Sequence, residues 1–135
     1  PVIAILPEQD YHVFYRYGSN TRTRKEEEFP QVYTDIVKNA DRVMEIVKAR
    51  YPELSEEAER FALYQRLDYM LHIPISLMTK ENSFYIQVRH YLRGHRREAV
   101  RSPYLTKKNK TYLVLLGTAP KLVRKVHRML KRISK

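Results

Sequence analysis

The sequence predicts a mainly α-helical fold, a bundle of about five helices preceded by a short β-like segment. Apolar side chains recur at steps of three and four residues through most of residues 30–134, the period of an amphipathic helix. A period of two occurs in residues 11–17. The 135 residues, 43% of them hydrophobic, are enough for one globular domain with a modest core.

The β-like segment is mostly aromatic or β-branched. Tyr11, Val13, Tyr15 and Tyr17 would share one side of a strand, with intervening residues on the other. Gly18 then ends the alternation, and small polar residues follow that suit a turn.

The first two helices are bounded by prolines. Residues 30–51 carry one apolar stripe, and the helix should end before Pro52, because the residue preceding proline avoids the helical region. Ser55 is a candidate N-cap for the second helix, which Pro74 should kink or end. This second helix is apolar around more of its circumference than the first, so we expect it at the centre of the core.

Three further helices complete the predicted bundle. Asn82 or Ser83 should cap a third helix over residues 84–99, which Gly94 weakens. The fourth covers residues 107–116, and the fifth covers residues 119–134. The apolar side of the fifth helix could close the domain core or lie against a membrane.

The net charge of +11 is concentrated in the second half of the chain. Residues 1–79 hold 10 Lys and Arg against 13 Asp and Glu, a net −3, whereas residues 80–135 hold 16 against 2, a net +14. Such a basic half can face phosphate, an anionic bilayer or an acidic protein, or it can simply be a solvated surface.

Several kinds of chemistry have no sequence support. There is no cysteine, no glycine-rich phosphate loop and no His-Glu-x-x-His motif. The longest apolar runs, residues 2–6 and 112–116, are far shorter than the roughly 20 residues of a membrane-spanning helix. The five histidines are scattered, so each is expected to be structural or on the surface, and no metal site is predicted.

Two groups of residues are candidates for binding anions. Arg16, Ser19, Thr21 and Arg22 could meet phosphate oxygens at a strand end, although a plain turn with a surface arginine has the same composition. The basic residues of the last helix are candidates for the surface of an anionic membrane: Lys121, Arg124, Lys125, Arg128, Lys131 and Arg132. Nucleic-acid binding is less expected, because the spacings of the known recognition modules are missing.

The residues Tyr-His-Val-Phe-Tyr-Arg-Tyr-Gly-Ser-Asn-Thr, 11–21, resemble the Tyr-x-Tyr-Arg-x-x-x-Ser-Ile/Asn-Thr segment that closes the catalytic domain of bacterial family 2 glycosyltransferases. The resemblance is to members that build capsular polysaccharides, exopolysaccharides and other cell-surface glycans. The break Lys-Ala-Arg-Tyr-Pro-Glu-Leu at 48–54 and the basic, aliphatic C-terminal region also look like that group.

The resemblance implies a GT-A catalytic domain that binds a nucleotide-sugar with a divalent cation, Mg or Mn, and lies upstream of Pro1. Residues 1–25 would be its last strand and loop, and residues 26–135 a helical C-terminal domain. Tyr15, Arg16 and Ser19 match the family segment and are implied at the donor or acceptor phosphates. The fragment alone would be inactive, with no catalytic residue and no cofactor of its own.

The partners expected from this resemblance are the upstream catalytic domain, an anionic membrane with a lipid-linked glycan acceptor, and a second copy of the chain. The expected location is cytoplasmic, peripheral to the inner face of the plasma membrane. The helical part would position the acceptor, bind the membrane or hold an oligomer. The alternative is a non-enzymatic basic helical module that binds an acidic protein or nucleic acid.

Overall fold

The computed structural model describes the backbone of residues 29–133 and the side chains of residues 29–130. This part is mainly helical, as predicted, with two short 3₁₀ turns at Pro52–Leu54 and Ile75–Leu77. The β-like segment and the division at residue 25 lie outside the described residues. The helices are α1 (Val32–Arg50), α2 (Ser55–His72), α3 (Ser83–Gly94), α4 (Arg96–Arg101), α5 (Lys107–Thr118) and α6 (Pro120–Ile133).

Helices α1 and α2 form a hairpin around Pro52. As predicted, α1 ends just before this proline, and Tyr51 N–H closes the helix by donating to the Val47 carbonyl at 2.8 Å. The prediction that Ser55 is an N-cap is wrong. Its hydroxyl instead donates to the Pro52 carbonyl at 2.7 Å, because the 3₁₀ turn runs directly into α2 and places that carbonyl within reach.

Helix α2 lies at the centre of the core, as its broad apolar circumference predicts. It contacts α1, α3 and α5. It ends at His72, with Ile73 in extended conformation before Pro74. Its fully buried side chains contact those of the neighbouring helices, and the buried residues of α2 are Ala58, Ala62, Leu63, Arg66, Leu67, Tyr69 and Met70.

The third predicted helix is two helices in the structure. Asn82 caps α3 by accepting a hydrogen bond from Tyr85 N–H at 3.1 Å, which selects it over Ser83. The single helix predicted over residues 84–99 is wrong, since α3 ends at Gly94 and α4 begins at Arg96. The His95 ring stacks on Tyr91 at 3.8 Å between centroids, and its Nδ1 donates to the Tyr91 carbonyl at 2.9 Å.

Arg66 connects three helices from inside the core. Arg66 is 4% exposed. Its Nη2 donates a hydrogen bond to Asp41 Oδ1 of α1, and its Nη1 donates one to the Ala62 carbonyl at 3.2 Å. Its guanidinium carbon lies 3.6 Å from the centre of the Tyr91 ring of α3. Burial raises the pKa of Tyr91, and the nearby guanidinium partly opposes this rise. The buried charge is therefore compensated by one carboxylate, one carbonyl and one aromatic face.

The Asp41→Asn substitution tests this interaction. The neutral amide leaves the buried guanidinium without its anion, so we expect the free energy of unfolding to fall by about 1–3 kcal/mol. Urea denaturation measures it, with Glu45→Gln on the exposed side of α1 as the matched control. Equal effects of the two substitutions would contradict the role assigned to the ion pair.

Tyr69 makes stability sensitive to alkaline pH. It is 2% exposed and lies edge-on to Phe29 and Phe84, and burial raises its pKa to about 12, opposed in part by a hydrogen bond with Asn82. Between pH 10 and 12 the unfolded chain therefore loses this proton while the folded chain keeps it. The contribution of Tyr69 to the free energy of unfolding is fully present below the pKa that the tyrosine has in the unfolded chain. Above that pKa the contribution falls by about 1.4 kcal/mol per pH unit.

We expect Tyr69→Phe to remove this part of the alkaline loss of stability. Denaturation at a series of alkaline pH values measures it, and the exposed Tyr51→Phe is the control. Parallel pH profiles for wild type and Tyr69→Phe would refute the prediction.

Candidate functional site

The candidate site is the surface of α6, which begins directly after α5. Arg89 of α3 holds this junction by donating from Nε to the Gly117 carbonyl at 3.4 Å and from Nη2 to the Thr118 carbonyl at 3.2 Å. These carbonyls belong to the last turn of α5, where helical partners run out and cationic donors are favoured. The start of α6 is therefore tied to α3.

One side of α6 faces the rest of the domain. Val123 is buried in the core, and the ring of His127 meets Tyr112 edge-on, with the tyrosine hydroxyl 3.2 Å from His127 Nδ1. Arg124 is 8% exposed and donates from Nε and Nη2 to the Ile73 carbonyl, at 3.3 and 3.2 Å. Burial lowers the pKa of Arg124, and the charge of Arg128 lowers it further.

Arg124, one of the predicted membrane-surface residues, is therefore buried against the domain, unlike Lys121, Lys125 and Arg128. Ile73 stands between the end of α2 and Pro74, a region where carbonyls lack helical partners. A guanidinium can supply two donors to one carbonyl, and Arg124 is used in this way. It fixes the rotation of α6 about its own axis.

The apolar stripe of α6 is defined here as Leu122, Val126, Met129 and Leu130. Their positions, i, i+4, i+7 and i+8, put them on one side of the helix, and they are respectively 63%, 47%, 62% and 54% exposed. Among the valine, leucine and methionine side chains described in α6, Val123 alone is buried. The alternative that this side closes the core therefore holds for Val123 but not for the four residues of the apolar stripe. The helix is docked through Val123, Arg124 and His127.

A basic edge runs beside the apolar stripe and consists of Lys121, Lys125 and Arg128. All three are exposed, and none of them is in an ion pair within residues 29–130. Lys131 and Arg132 are part of α6, but the structure describes only their backbone. Tyr15, Arg16 and Ser19 precede residue 29 and also lie outside the described residues.

Two further features are not found among the described residues. Within them, no three His, Asp or Glu side chains are grouped so that they could hold a metal ion. No helix among residues 29–133 is long and apolar enough to cross a membrane.

A basic groove is a second feature of the structure, and it was not predicted from the sequence. This open groove of about 640 Å³ lies where α3, α4 and α5 meet. Four arginines line it, Arg93, Arg96, Arg97 and Arg101. The high density of arginine in residues 93–101 could have indicated it. The groove forms at the break between α3 and α4, however, and the sequence predicted one continuous helix there.

No protein-family model, no curated protein and no solved structure matches this chain. The resemblance to family 2 glycosyltransferases is thus a hypothesis that rests on residues 11–21, on residues 48–54 and on the basic C-terminal region.

The Arg124 clamp, the pair of hydrogen bonds to the Ile73 carbonyl, can be tested by Arg124→Met, which keeps an unbranched side chain but removes its donors. We expect the free energy of unfolding to fall by about 1–3 kcal/mol, because a buried charge-assisted hydrogen bond is lost. Thermal or urea denaturation measures the change. Arg128→Met, at an exposed position of the same helix, should have a much smaller effect, and comparable losses would argue against the clamp.

Proposed function

We propose that this helical domain binds the surface of an anionic membrane through α6. The observation that carries the proposal is the apolar stripe of α6, which is exposed although the same helix is firmly docked on its other side. A helix with this division of its surface lies in the plane of a bilayer, its apolar side among the acyl chains and its charged residues at the headgroups.

The apolar stripe supplies the attraction that does not depend on charge. Fully burying a large aliphatic side chain contributes about 1.5–3 kcal/mol, so even partial insertion of the four residues is a substantial free energy. In water these residues remain 47–63% exposed, so much of their apolar surface is not buried by the fold. A bilayer would cover them without any rearrangement of the core.

The basic edge supplies the preference for anionic lipid. Each Lys or Arg near an anionic surface contributes about 1 kcal/mol, an effect that salt screens. Lys121, Lys125 and Arg128 can therefore discriminate anionic from zwitterionic vesicles. A nucleic-acid surface would use these charges but would leave the apolar stripe uncovered, so the membrane explains more of the surface.

The wider role that we propose follows from the resemblance of residues 11–21. In it, the domain is the C-terminal part of a family 2 glycosyltransferase that transfers a sugar from a nucleotide-sugar to a growing cell-surface glycan. Binding through α6 would hold the enzyme at the cytoplasmic face of the plasma membrane, beside a lipid-linked acceptor. The nucleotide-sugar and its divalent cation would be bound by a separate catalytic domain, and this role is tested by whether the same reading frame also encodes such a domain.

The membrane proposal is tested by sedimentation with vesicles of phosphatidylcholine alone or with added phosphatidylglycerol. We expect binding to the anionic vesicles that weakens as salt is added. The Lys121→Gln/Lys125→Gln/Arg128→Gln variant should lower the partition coefficient by about 100-fold, at about 1 kcal/mol per charge. Leu122→Ser/Met129→Ser should lower it by at least about tenfold.

Matched variants on other surfaces provide the controls. Arg42→Gln/Arg50→Gln/Lys107→Gln removes the same charge, and Val43→Ser/Ile46→Ser removes exposed apolar side chains from α1. Both should bind nearly as well as wild type. Absence of binding at low salt, or equal losses in the controls, would overturn the proposal. Binding to DNA of higher affinity than to anionic vesicles would favour the nucleic-acid alternative.

A further inference from the structure

The groove between α3, α4 and α5 has walls of two kinds. Four arginines contribute positive charge, and Val100 and Val114 contribute apolar surface. Val100 is 54% exposed. Since α6 contributes no residue to the lining of the groove, it is separate from the candidate membrane surface.

The arginines of the groove have no anionic partner in the described structure. None of their guanidinium groups is in an ion pair or a side-chain hydrogen bond within residues 29–130. Arg97 and Arg101 are four residues apart on α4, a spacing at which like charges repel. Such repulsion is relieved when an anion enters between the charges.

The charge of the groove corresponds to that of a diphosphate. Four arginines and Glu98 give the lining a net charge of +3. A terminal diphosphate carries roughly three negative charges near neutral pH. Guanidinium groups bind phosphate oxygens in bidentate fashion, and a cleft of one sign of charge concentrates the opposite ion.

The size of the groove and its valines indicate more than an inorganic anion. About 640 Å³ lies in the range of pockets that hold small organic ligands, well above what a diphosphate group needs. The remaining space adjoins Val100 and Val114, which can contact an apolar substituent.

We propose that this groove binds an organic diphosphate, with the arginines on the diphosphate and the two valines on the organic part. The organic part could be a hydrocarbon chain or a nucleoside, and the diphosphate is common to both. The proposal is independent of membrane binding by α6.

Isothermal titration calorimetry at low salt tests it, with pyrophosphate, an alkyl diphosphate, a nucleoside diphosphate and inorganic phosphate as probes. We expect both organic diphosphates, or one of them, to bind at least about tenfold more tightly than phosphate. Arg93→Gln/Arg97→Gln should weaken this binding at least about tenfold, since charge-assisted hydrogen bonds are lost. Arg93→Lys/Arg97→Lys keeps the charge but not the bidentate geometry, and should give an intermediate loss.

Val100→Ser separates the two sources of ligand. If the hydrocarbon is the natural substituent, this variant should lose the advantage of the alkyl diphosphate over pyrophosphate, while binding of pyrophosphate is unchanged. If a nucleoside is the natural substituent, the variant should instead lose the advantage of the nucleoside diphosphate over pyrophosphate. No advantage of either organic ligand over pyrophosphate overturns the assignment of the valines and with it the proposal.

Arg42→Gln/Arg50→Gln is the control of equal charge, and should bind diphosphate within about twofold of wild type. Leu122→Ser/Met129→Ser should also bind like wild type, which distinguishes failure here from failure of the membrane proposal. The proposal is overturned if wild type binds no diphosphate, if the control loses as much as the groove variant, or if single-stranded RNA binds more tightly and is lost in the same groove variant.

Discussion

The buried guanidinium of Arg66 is the interaction on which the arrangement of the first three helices depends. A charge in the core is costly unless it has compensating partners, and Arg66 receives them from α1, α2 and α3 together, at two of its donor nitrogens and at the face of its guanidinium. Sliding α1 along α2 by one turn would remove Asp41, and turning α3 would remove the face of Tyr91. Apolar contacts among leucines and valines permit several registers at similar free energy, whereas this set of contacts permits one. Its Nε has no protein partner, so the site is held by position rather than by complete satisfaction.

Arg124 has the same relation to α6 as Arg66 has to α1. Both are arginines in the core that select a geometry by polar contacts, Arg66 with a carboxylate and Arg124 with the Ile73 carbonyl. The consequence at α6 is unusual for an amphipathic helix, because its inward side contains an arginine and a histidine while its most apolar side points outward. The rotation of the helix is set by Arg124 and His127, and the exposure of Leu122 and Met129 follows from it.

These contacts also explain how far the sequence could predict the structure. The ends of α1 and α2 were predictable because Pro52 and Pro74 act locally, on the residues beside them. The break at His95 was not, since it is stabilised by stacking on Tyr91, whose other face meets Arg66 from a distant part of the chain. The spacing of apolar residues identified the apolar side of α6. That spacing is a property of one helix, so it does not show which side of the helix packs against the domain. Arg124 was indistinguishable from Lys125 and Arg128, because only the position of the Ile73 carbonyl separates them.

The basic edge of α6 and the groove between α3, α4 and α5 differ in the type of their cationic residues. Beside the apolar stripe, Lys121 and Lys125 carry compact charges on flexible chains, which suit a fluid surface whose headgroups have no fixed positions. In the groove the cations are arginines, whose planar donors suit oxygens held at fixed distances. If the positive charge of the second half served general attraction alone, either residue type would serve at either place. The difference in composition, with Arg128 as the exception beside the stripe, agrees with the two ligands proposed above, one without defined geometry and one with it. The docked orientation of α6 keeps the first surface apart from the second.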